Sequence, residues 1–386
     1  MNLYIYTNLA ESPIVKNLTA WREGGGASFY YAACGGLLRA RAGLREFACA
    51  ALLEAAPPCG FTNARAYFDH DIAEIYNNLI AFDWDAECEK SGVLPLPATE
   101  ANMAGDYQKT LVRLINAGSA AALGDAVTEF FSRYSAADEA RFAAFKWADG
   151  RLAGIPAPDG VAFDDLAALG YRKDVLINNT AAFVSGRPAH DILLAGASGT
   201  GKSSCVKAVF NMFRPDGLRL AELFKDDIAA LPGLMDEIKS RKRQYIVFID
   251  DLSFDSSDAD YKALKVTLDG QIDTRPANML LYATSNRVHL VKETWGDREG
   301  EQDIHENETL HEKMSLAERF GIRLYFRTLT QPEYFEIIAL LLKKHGACFD
   351  ETTAKRAVAW EVGGNGRSGR SAKQFVTDYL SRGAGE

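Results

Sequence analysis

The sequence predicts an α/β protein with a five-stranded, mainly parallel sheet between two layers of helices, flanked by two helical regions. In the second part of the chain, short apolar runs alternate with amphipathic helical stretches, which is typical of a parallel sheet covered on both faces. The candidate strands are residues 192–195, 218–223, 245–249, 279–283 and 323–326. Apolar residues at helical spacing fill the Ala-rich first part, and only helical patterns follow residue 331. We therefore expect an all-helical N-terminal domain and a C-terminal helical lid.

Charge and one cluster of Gly and Pro divide the chain into domains. Residues 1–165 hold 13 Lys+Arg against 21 Asp+Glu, so most of the net charge of −9 lies there. Residues 149–160 contain three Gly and two Pro, the densest group of breaker residues in the chain. We predict a helical N-terminal domain over residues 1–150, a linker over 151–165, the αβα core over 166–330 and the lid over 331–386.

Composition disfavours several classes of protein. The 386 residues are 47% hydrophobic and 25% charged, as in globular proteins, and the net charge of −9 disfavours extended contact with nucleic acid or anionic membranes. No apolar stretch is long enough to cross a membrane, and the first residues lack the pattern of a secretory signal. The six cysteines form neither a C-x-x-C pair nor a zinc-ligand spacing. We expect a cytoplasmic protein without a structural metal.

A phosphate-binding loop is the clearest motif in the sequence. The stretch GASGTGKSS follows the first core strand and leads into a predicted helix, which is the context that a G-x-x-x-x-G-K-[ST] loop requires. Glycine lets backbone N–H groups converge on phosphate oxygens, and the helix N-terminus adds partial positive charge. Lys202 would reach the β- and γ-phosphates, and Ser203 would ligate Mg²⁺. The predicted nucleotide-binding residues of the loop are Gly196, Ala197, Ser198, Gly199, Thr200, Gly201, Lys202, Ser203 and Ser204.

Two carboxylates, Asp250 and Asp251, follow the third core strand. In this Walker B arrangement, Asp250 would hold Mg²⁺, and Asp251 would polarise the water that attacks the γ-phosphate. A pair of helix-capping aspartates is the structural alternative, because a segment rich in Ser and Asp follows. The phosphate loop upstream favours the catalytic interpretation.

Further polar residues stand where the sequence predicts contact with the terminal phosphate. The fourth core strand runs into Asn286, which we expect beside the γ-phosphate. Arg319 precedes the fifth strand, and Arg370 opens the last predicted helix, with Arg367 as its alternative. Arginine is suited to the charge that develops on a transferring phosphoryl group. Each arginine alone is typical of a protein surface, but their order behind a phosphate loop predicts catalytic roles for Asn286, Arg319 and Arg370 beside Asp251.

This ordered set of motifs resembles that of the AAA+ ATPases. A closer resemblance, to a bacterial AAA+ family of unassigned function, comes from the motifs GRPA (186–189), DDLSF (250–254), YKALK (261–265), RPAN (275–278) and YATSNR (282–287). It covers residues 166–382 and extends only weakly into the N-terminal part. The resemblance implies a five-stranded αβα core with a lid, ATP and Mg²⁺ as ligands, and an ATP site shared between subunits of a ring or partial ring.

The resemblance also suggests roles for individual residues. Asn286 is similar to sensor 1, Arg370 to sensor 2, and Arg319 to the arginine finger that a neighbouring subunit supplies. Tyr171 stands where it would border the adenine, although a packing role fits the sequence equally well. Asp251 departs from most AAA+ motors, which carry Glu there, whereas replication initiators and helicase loaders share the Asp-Asp pair. A pore loop of the protein-unfolding type is missing after the second core strand.

The sequence leaves more than one function open. The leading hypothesis is an oligomeric, Mg²⁺-dependent ATPase that remodels or loads an unidentified protein partner bound by the N-terminal domain. The Asp-Asp pair and the missing pore loop favour a nucleotide switch that hydrolyses ATP slowly. The basic run 241–243 and the group Arg287, His289 and Lys292 are the features that would serve a DNA-associated loader. We therefore expect any nucleic-acid binding to be weak and local.

Overall fold

The computed structural model describes residues 2–55, 64–97, 105–252, 264, 275–286 and 317–382. The chain divides into two compact units, Met1–Phe142 and Ala143–Glu386. Each unit has a hydrophobic core of its own. Across the described residues, no helix has both the length and the apolar character that a membrane span requires.

The first unit is helical, as predicted. Its core contains apolar side chains at helical spacing, among them the fully buried Leu37, Leu52, Leu53 and Ile75. A π-helical turn, Tyr76–Ile80, continues the fifth helix. The helices of this unit are α1 (Thr7–Glu11), α2 (Pro13–Arg22), α3 (Ala27–Ala40), α4 (Leu44–Glu54), α5 (Ala64–Ile75), α6 (Trp84–Lys90), α7 (Gly105–Ile115), α8 (Ala120–Arg133) and α9 (Ala137–Arg141).

A buried carboxylate ties the N-terminal segment to this helical core. Asp71 on α5 is 0% exposed, and its oxygens accept the backbone N–H groups of three successive residues. Oδ1 accepts from Tyr4 at 2.9 Å, whereas Oδ2 accepts from Ile5 at 2.6 Å and from Tyr6 at 3.1 Å. Hydrogen bonds to a charged acceptor are stronger than neutral ones, and they offset the desolvation of the carboxylate. Asp71 therefore holds residues 4–6 against α5.

The second unit is built on a seven-stranded sheet in the order β2-β1-β4-β5-β6-β3-β7. Its strands are β1 (Ala144–Ala148), β2 (Arg151–Ile155), β3 (Ile192–Gly196), β4 (Arg219–Glu222), β5 (Tyr245–Ile249), β6 (Met279–Ser285) and β7 (Ile322–Phe326). All neighbouring strands are parallel except β1 and β2. The five predicted strands are confirmed as β3 to β7, and β1 adds a further parallel strand beside β4. Every residue of β5 is buried, as expected for a strand covered on both faces.

The predicted linker over residues 151–165 differs from the structure. Residues 144–155 form a β-hairpin that extends the sheet, with β1 parallel to β4 and β2 at the outer edge. Asp149 and Gly150 have φ of 51° and 74°, the positive values that a two-residue type I′ turn requires, and Asp-Gly is a preferred sequence for it. The boundary between the units lies instead after Phe142. This part of the Gly and Pro cluster is thus a hairpin turn within the second unit.

Helices of the second unit pack on the sheet and form the lid. Leu176 of α10 and Phe210 of α11 share one core with Phe248 of β5, and the lid has a separate core around Tyr334 and Phe375. Short 3-10 helices span Phe163–Asp165 and Lys225–Ala230, and a π-helical turn spans Glu361–Asn365. The helices are α10 (Tyr171–Val184), α11 (Lys202–Phe213) and α12 (Leu231–Lys239), followed in the lid by α13 (Gln331–Lys344), α14 (Glu351–Trp360) and α15 (Gly369–Ser381).

Replacement of the buried carboxylate should destabilise the first unit. We expect Asp71→Asn to lower the free energy of unfolding by about 2–3 kcal/mol, because a neutral amide accepts the backbone N–H groups more weakly. Unfolding in denaturant, monitored by circular dichroism, measures this change. Asp69→Asn is the matched control, since Asp69 is exposed and pairs with Arg65 four residues away; it should cost less than about 1 kcal/mol. Equal stability of the two variants would contradict the anchoring role of Asp71.

Candidate nucleotide-binding site

A cavity of about 550 Å³ lies at the carboxyl ends of β3, β5 and β6, within the second unit. The core of this unit contributes the loop after β3, the two aspartates after β5 and the end of β6; the segment before α10 and the lid complete the lining. The lining residues are Asp165, Leu166, Ala167, Leu169, Ser198, Gly199, Thr200, Gly201, Lys202, Ser203, Ser204, Asp250, Asp251, Thr284, Asn286, Ile337, Leu341, Gly369, Arg370 and Lys373.

Glycines give the loop after β3 its shape. Gly196, Gly199 and Gly201 have φ of 134°, 71° and 93°, which residues with a Cβ rarely adopt. At Gly196, a Cβ would also lie 2.0 Å from the carbonyl oxygen of Phe326. The N–H of Ala197 donates to that same oxygen at 3.0 Å. The end of β7 therefore holds the start of the loop, and only glycine fits at position 196.

Lys202 is a buried cation, with 6% of its surface exposed. Its Nζ donates to the carbonyl oxygens of Gly196 at 2.8 Å and Ala197 at 2.7 Å, and to Oδ1 of Asn286 at 2.9 Å. Burial lowers the pKa of Lys202, while the two carboxylates after β5 oppose this shift. The three hydrogen bonds match the three protons of an ammonium group. A phosphate that binds Lys202 would therefore replace protein acceptors.

Two hydroxyl groups hold Asp250. Ser203 Oγ donates to Asp250 Oδ1 at 2.6 Å, and Thr284 Oγ1 donates to the same oxygen. Thr284 Oγ1 also accepts the backbone N–H of Asp251 at 2.9 Å. These contacts join the phosphate loop, the end of β5 and the end of β6 into one hydrogen-bonded network.

Asn286 lies between the cation and the second carboxylate. Its Oδ1 accepts from Lys202, and its Nδ2 donates to Asp251 Oδ1 at 2.6 Å. An amide oxygen can only accept and an amide nitrogen can only donate, so the two contacts fix the orientation of the Asn286 side chain. The Asn286 side chain thereby bridges Lys202 and Asp251.

The last lid helix touches the phosphate loop at its N-terminus. The N–H of Gly369 donates to the carbonyl oxygen of Gly199 at 2.6 Å, and the next residue, Arg370, lines the cavity. Arg367 is outside the described lining, and its Nε lies 2.6 Å from Oε1 of Glu361. Of the two arginines proposed from the sequence, the structure brings Arg370 to the cavity.

Four predicted site residues are not part of the described lining. Two of them, Gly196 and Ala197, lie at the start of the loop, where their carbonyl oxygens accept from Lys202. Tyr171, expected beside the adenine, is 61% exposed, because α10 begins there and the ring projects outward with the Arg172 guanidinium 5.5 Å from its centre. Leu166 and Leu169 of the preceding segment line the cavity and Tyr171 does not, so the adenine contact by Tyr171 stays a prediction. Arg319 precedes β7 and also does not contribute to the described lining.

The basic features proposed for a DNA contact fall only partly within the described residues. Arg287, His289 and Lys292 lie outside them, as do most residues of the motif at 261–265. In the basic run 241–243, Arg241 is mostly buried and pairs with Glu237 four residues before it at 2.6 Å. Weak, local nucleic-acid binding stays a prediction.

A family match covers almost the whole second unit. Residues 140–383 match the model of the family described as "Protein of unknown function (DUF815)". The chain belongs to this family. The match confirms the predicted kinship with a family of unassigned function, and it begins earlier than residue 166 because the hairpin β1-β2 is part of the same sheet. Most of the helical first unit of this DUF815 protein lies outside the match.

Some solved structures are similar to this DUF815 protein. The RuvB Holliday junction branch migration motor of Thermotoga maritima shares 20% identity with a TM-score of 0.38, and this similarity covers 57% of the present chain. The replication initiator DnaA bound to AMPPCP and single-stranded DNA shares 16% identity with a TM-score of 0.39, over 58% of the present chain. In both cases the chain spans 66% of the other protein's length. No curated protein matches the sequence.

Sequence reasoning missed two parts of the site in this DUF815 protein. Thr284 belongs to the motif at 282–287, but the motif does not indicate that its hydroxyl contacts both aspartates. Apolar residues of the segment before α10 and of the lid were also missed; Ile337 and Leu341 of α13 are examples. Both depend on contacts between segments distant in the chain, which a motif search does not reveal.

The residues present fit a Mg²⁺ ion held jointly with a nucleotide. Ser203 and Asp250 supply a hydroxyl and a carboxylate, and oxygen ligands of this kind are those that Mg²⁺ prefers. Over the part of the chain that the structure describes, no group of three or more His, Cys, Asp and Glu side chains could hold a metal ion alone. Mg²⁺ in phosphoryl-transfer sites commonly uses one or two protein ligands, water and substrate phosphates, which agrees with this DUF815 site.

Proposed function

We propose that this DUF815 protein binds ATP together with Mg²⁺ in the cavity and hydrolyses it. The observation that carries the proposal is the hydrogen-bonded group of Lys202, Asp250, Asp251 and Asn286, which follow the three neighbouring parallel strands β3, β5 and β6. Ligands of open α/β sheets bind outside the carboxyl ends of their strands. A cavity of about 550 Å³ also lies within the usual size of small-molecule sites.

Each contact in the network supports a separate role in the reaction. Lys202 and the N–H groups at the start of α11 would bind the β- and γ-phosphates, and Ser203 and Asp250 would hold Mg²⁺. When bound, Mg²⁺ would supply charge neutralisation on the phosphate oxygens. Asp251 would orient the attacking water, and Asn286 would keep its carboxylate in place through the 2.6 Å hydrogen bond.

The apolar residues of the lining support a nucleotide rather than a bare polyphosphate. Leu166, Leu169, Ile337 and Leu341 contribute hydrocarbon surface to the lining of the cavity. A flat heterocyclic base packs favourably on such surface, while its phosphates need the polar end. A lining that contains both apolar and charged residues therefore supports ATP as the ligand.

An oligomer with a shared ATP site is part of the proposal. Arg319 is not among the described residues that line the cavity, so a role at the γ-phosphate requires a neighbouring subunit. It precedes β7, which is the last of the described strands in the sheet order and pairs with β3. An arginine at this edge supports contact with a second copy of the chain.

Remodelling or loading of a partner would use the first unit. This unit lies almost entirely outside the family match and exposes large apolar side chains, among them Tyr4 at 61%, Tyr31 at 57% and Leu38 at 65%. Exposed apolar residues of this size support protein contacts where they form a patch.

A slow nucleotide switch is the second candidate function. It is favoured by Asp251, because an aspartate is one methylene shorter than the glutamate of most AAA+ motors. Its carboxylate is also already engaged by Asn286 at 2.6 Å, which restricts its reach towards water. A protein of this kind would bind ATP well, hydrolyse it rarely and act through its nucleotide-bound state.

The proposed function predicts that ATP binding depends on Lys202. ATP at 100 times its Kd should stabilise the native protein by about 2.7 kcal/mol, and Lys202→Ala should abolish this gain. Thermal unfolding with and without MgATP measures the shift. Lys207→Ala is the matched control, because Lys207 lies on the same helix but pairs with Asp159 at 3.2 Å, away from the cavity. An unchanged ATP-induced shift in Lys202→Ala would refute the site.

The two aspartates should separate binding from hydrolysis. Asp251→Asn is expected to retain the ATP-induced thermal shift and to lower turnover by about 100-fold or more, as for the loss of a general base. Asp250→Asn should instead raise the Mg²⁺ concentration required for the shift. Phosphate release and Mg²⁺ titration measure both effects. If the two variants lose both properties to the same extent, the pair is structural; faster turnover in Asp251→Glu would identify the short carboxylate as rate-limiting.

A shared site predicts complementation between two inactive variants. Arg319→Ala should bind ATP normally but hydrolyse it about 10³-fold or more slowly, because an arginine supplied in trans stabilises the charge of the transition state. Mixed with Lys202→Ala, it should regain part of the activity, since each variant lacks a different half of the site. Arg323→Ala, an exposed arginine on β7, is the control and should retain activity. Mixed oligomers that form without restored activity would disprove the shared site.

A further inference from the structure

The hydroxyl of Thr284 joins the two aspartates of the site. Thr284 lies near the end of β6 and is 2% exposed. Its Oγ1 accepts the backbone N–H of Asp251 at 2.9 Å and donates its own proton to Asp250 Oδ1. An amide N–H can only donate and an ionised carboxylate can only accept, so the direction of both hydrogen bonds is fixed. One hydroxyl thus positions two neighbouring acidic residues.

Asp251 needs such support because of its backbone conformation. Its φ of 54° is in the left-handed region, which is unfavourable for residues with a Cβ and persists where the surroundings hold it. Thr284 contacts both sides of this peptide segment. Its hydroxyl accepts the N–H of Asp251, and its carbonyl oxygen accepts the N–H of Leu252 at 2.7 Å. The left-handed turn after β5 is therefore hydrogen-bonded to one residue of β6.

This turn decides where the Asp251 carboxylate lies. In an extended continuation of β5, successive side chains would point to opposite faces of the sheet. The left-handed residue breaks this alternation, and the carboxylates of Asp250 and Asp251 reach the same network, in contact with Ser203 and Asn286 respectively. Thr284 thus supports the placement of both carboxylates at one cavity.

We propose that Thr284 is a positioning residue for the hydrolysis of ATP, acting through Asp250 and Asp251 rather than on the nucleotide itself. This inference rests on the proposed function of the site. The hydroxyl orients Asp250 for Mg²⁺ and holds the turn that directs Asp251 towards the attacking water. Serine at this position would retain both hydrogen bonds of the Thr284 hydroxyl. Valine is similar in shape to threonine but has no hydroxyl and can form neither.

The test compares Thr284→Val with Thr284→Ser in the full-length protein. Thr284→Val should lower kcat by about 10- to 100-fold, the usual effect of losing a hydrogen bond to a charged group. Its KM for ATP should stay within about threefold of native, since Lys202 and the phosphate loop are unchanged. The Mg²⁺ concentration that gives half of the ATP-induced thermal shift should rise several-fold. Thr284→Ser should match the native protein within about threefold in all three measurements.

The outcomes separate this inference from the proposed function. If the native protein shows no Lys202-dependent ATP shift, the proposed function fails and the role of Thr284 fails with it. If ATP binds but Thr284→Val has native kcat, or Thr284→Ser is as impaired as Thr284→Val, the positioning role alone is refuted. Where native turnover is too slow to measure, an unchanged Mg²⁺ midpoint in Thr284→Val refutes it. Thr284→Ala replaces Thr284→Val if the nucleotide-free melting temperature shows that valine prevents folding.

Discussion

The parallel alignment of β3, β5 and β6 is the constraint on which the site depends. Because these neighbouring strands run in one direction, the residues that follow them meet at one edge of the sheet. Lys202 and Asn286 are 84 positions apart, yet their side chains form a 2.9 Å hydrogen bond. A slip of one residue in β6 would exchange the faces of Thr284 and Ser285 and break the contacts to Asp250. The tightly packed apolar strands therefore set the positions of the polar residues.

The charges that line the cavity indicate why a polyphosphate ligand would need the lid. Among the described residues of the αβα core, Lys202 is the one cation that lines the cavity. Asp250 and Asp251 lie close to it. One cation with two carboxylates is a poor site for a nucleotide that carries several negative charges. Arg370 and Lys373 on α15 add positive charge to the same cavity. Binding would thus draw on the lid and on Mg²⁺ together, which links lid position to occupancy.

The sequence predicted most of the fold because buried parallel strands are continuous apolar runs, which can be located along the chain. The sequence also predicted the phosphate loop and the two aspartates. Few residue types suit the positive φ angles of the loop or the position directly after β5, so the residues there form a recognisable motif. The hairpin was not predicted, because Asp149 and Gly150 lie in a cluster of Gly and Pro that is also typical of a linker. The pairing of β1 with β4, which shows that the segment is a hairpin turn, depends on residues distant in the chain. The direction of the Tyr171 ring depends on where α10 begins, and the role of Thr284 depends on contacts between strands.

Direct backbone contact couples the lid to the phosphate loop. The N–H of Gly369 donates to Gly199 O at 2.6 Å, and a Cβ on Gly199 would lie 2.9 Å from the side chain of Ser368, so the two segments approach more closely than side chains would permit. A second attachment joins Lys344 of α13 to Asp165, which lines the cavity. The lid helices α13 and α15 are thereby each attached to a residue that lines the cavity. If the proposed nucleotide moves the loop, the loop must either carry α15 with it or break the Gly369 hydrogen bond, and in both cases the nucleotide state would reach the lid.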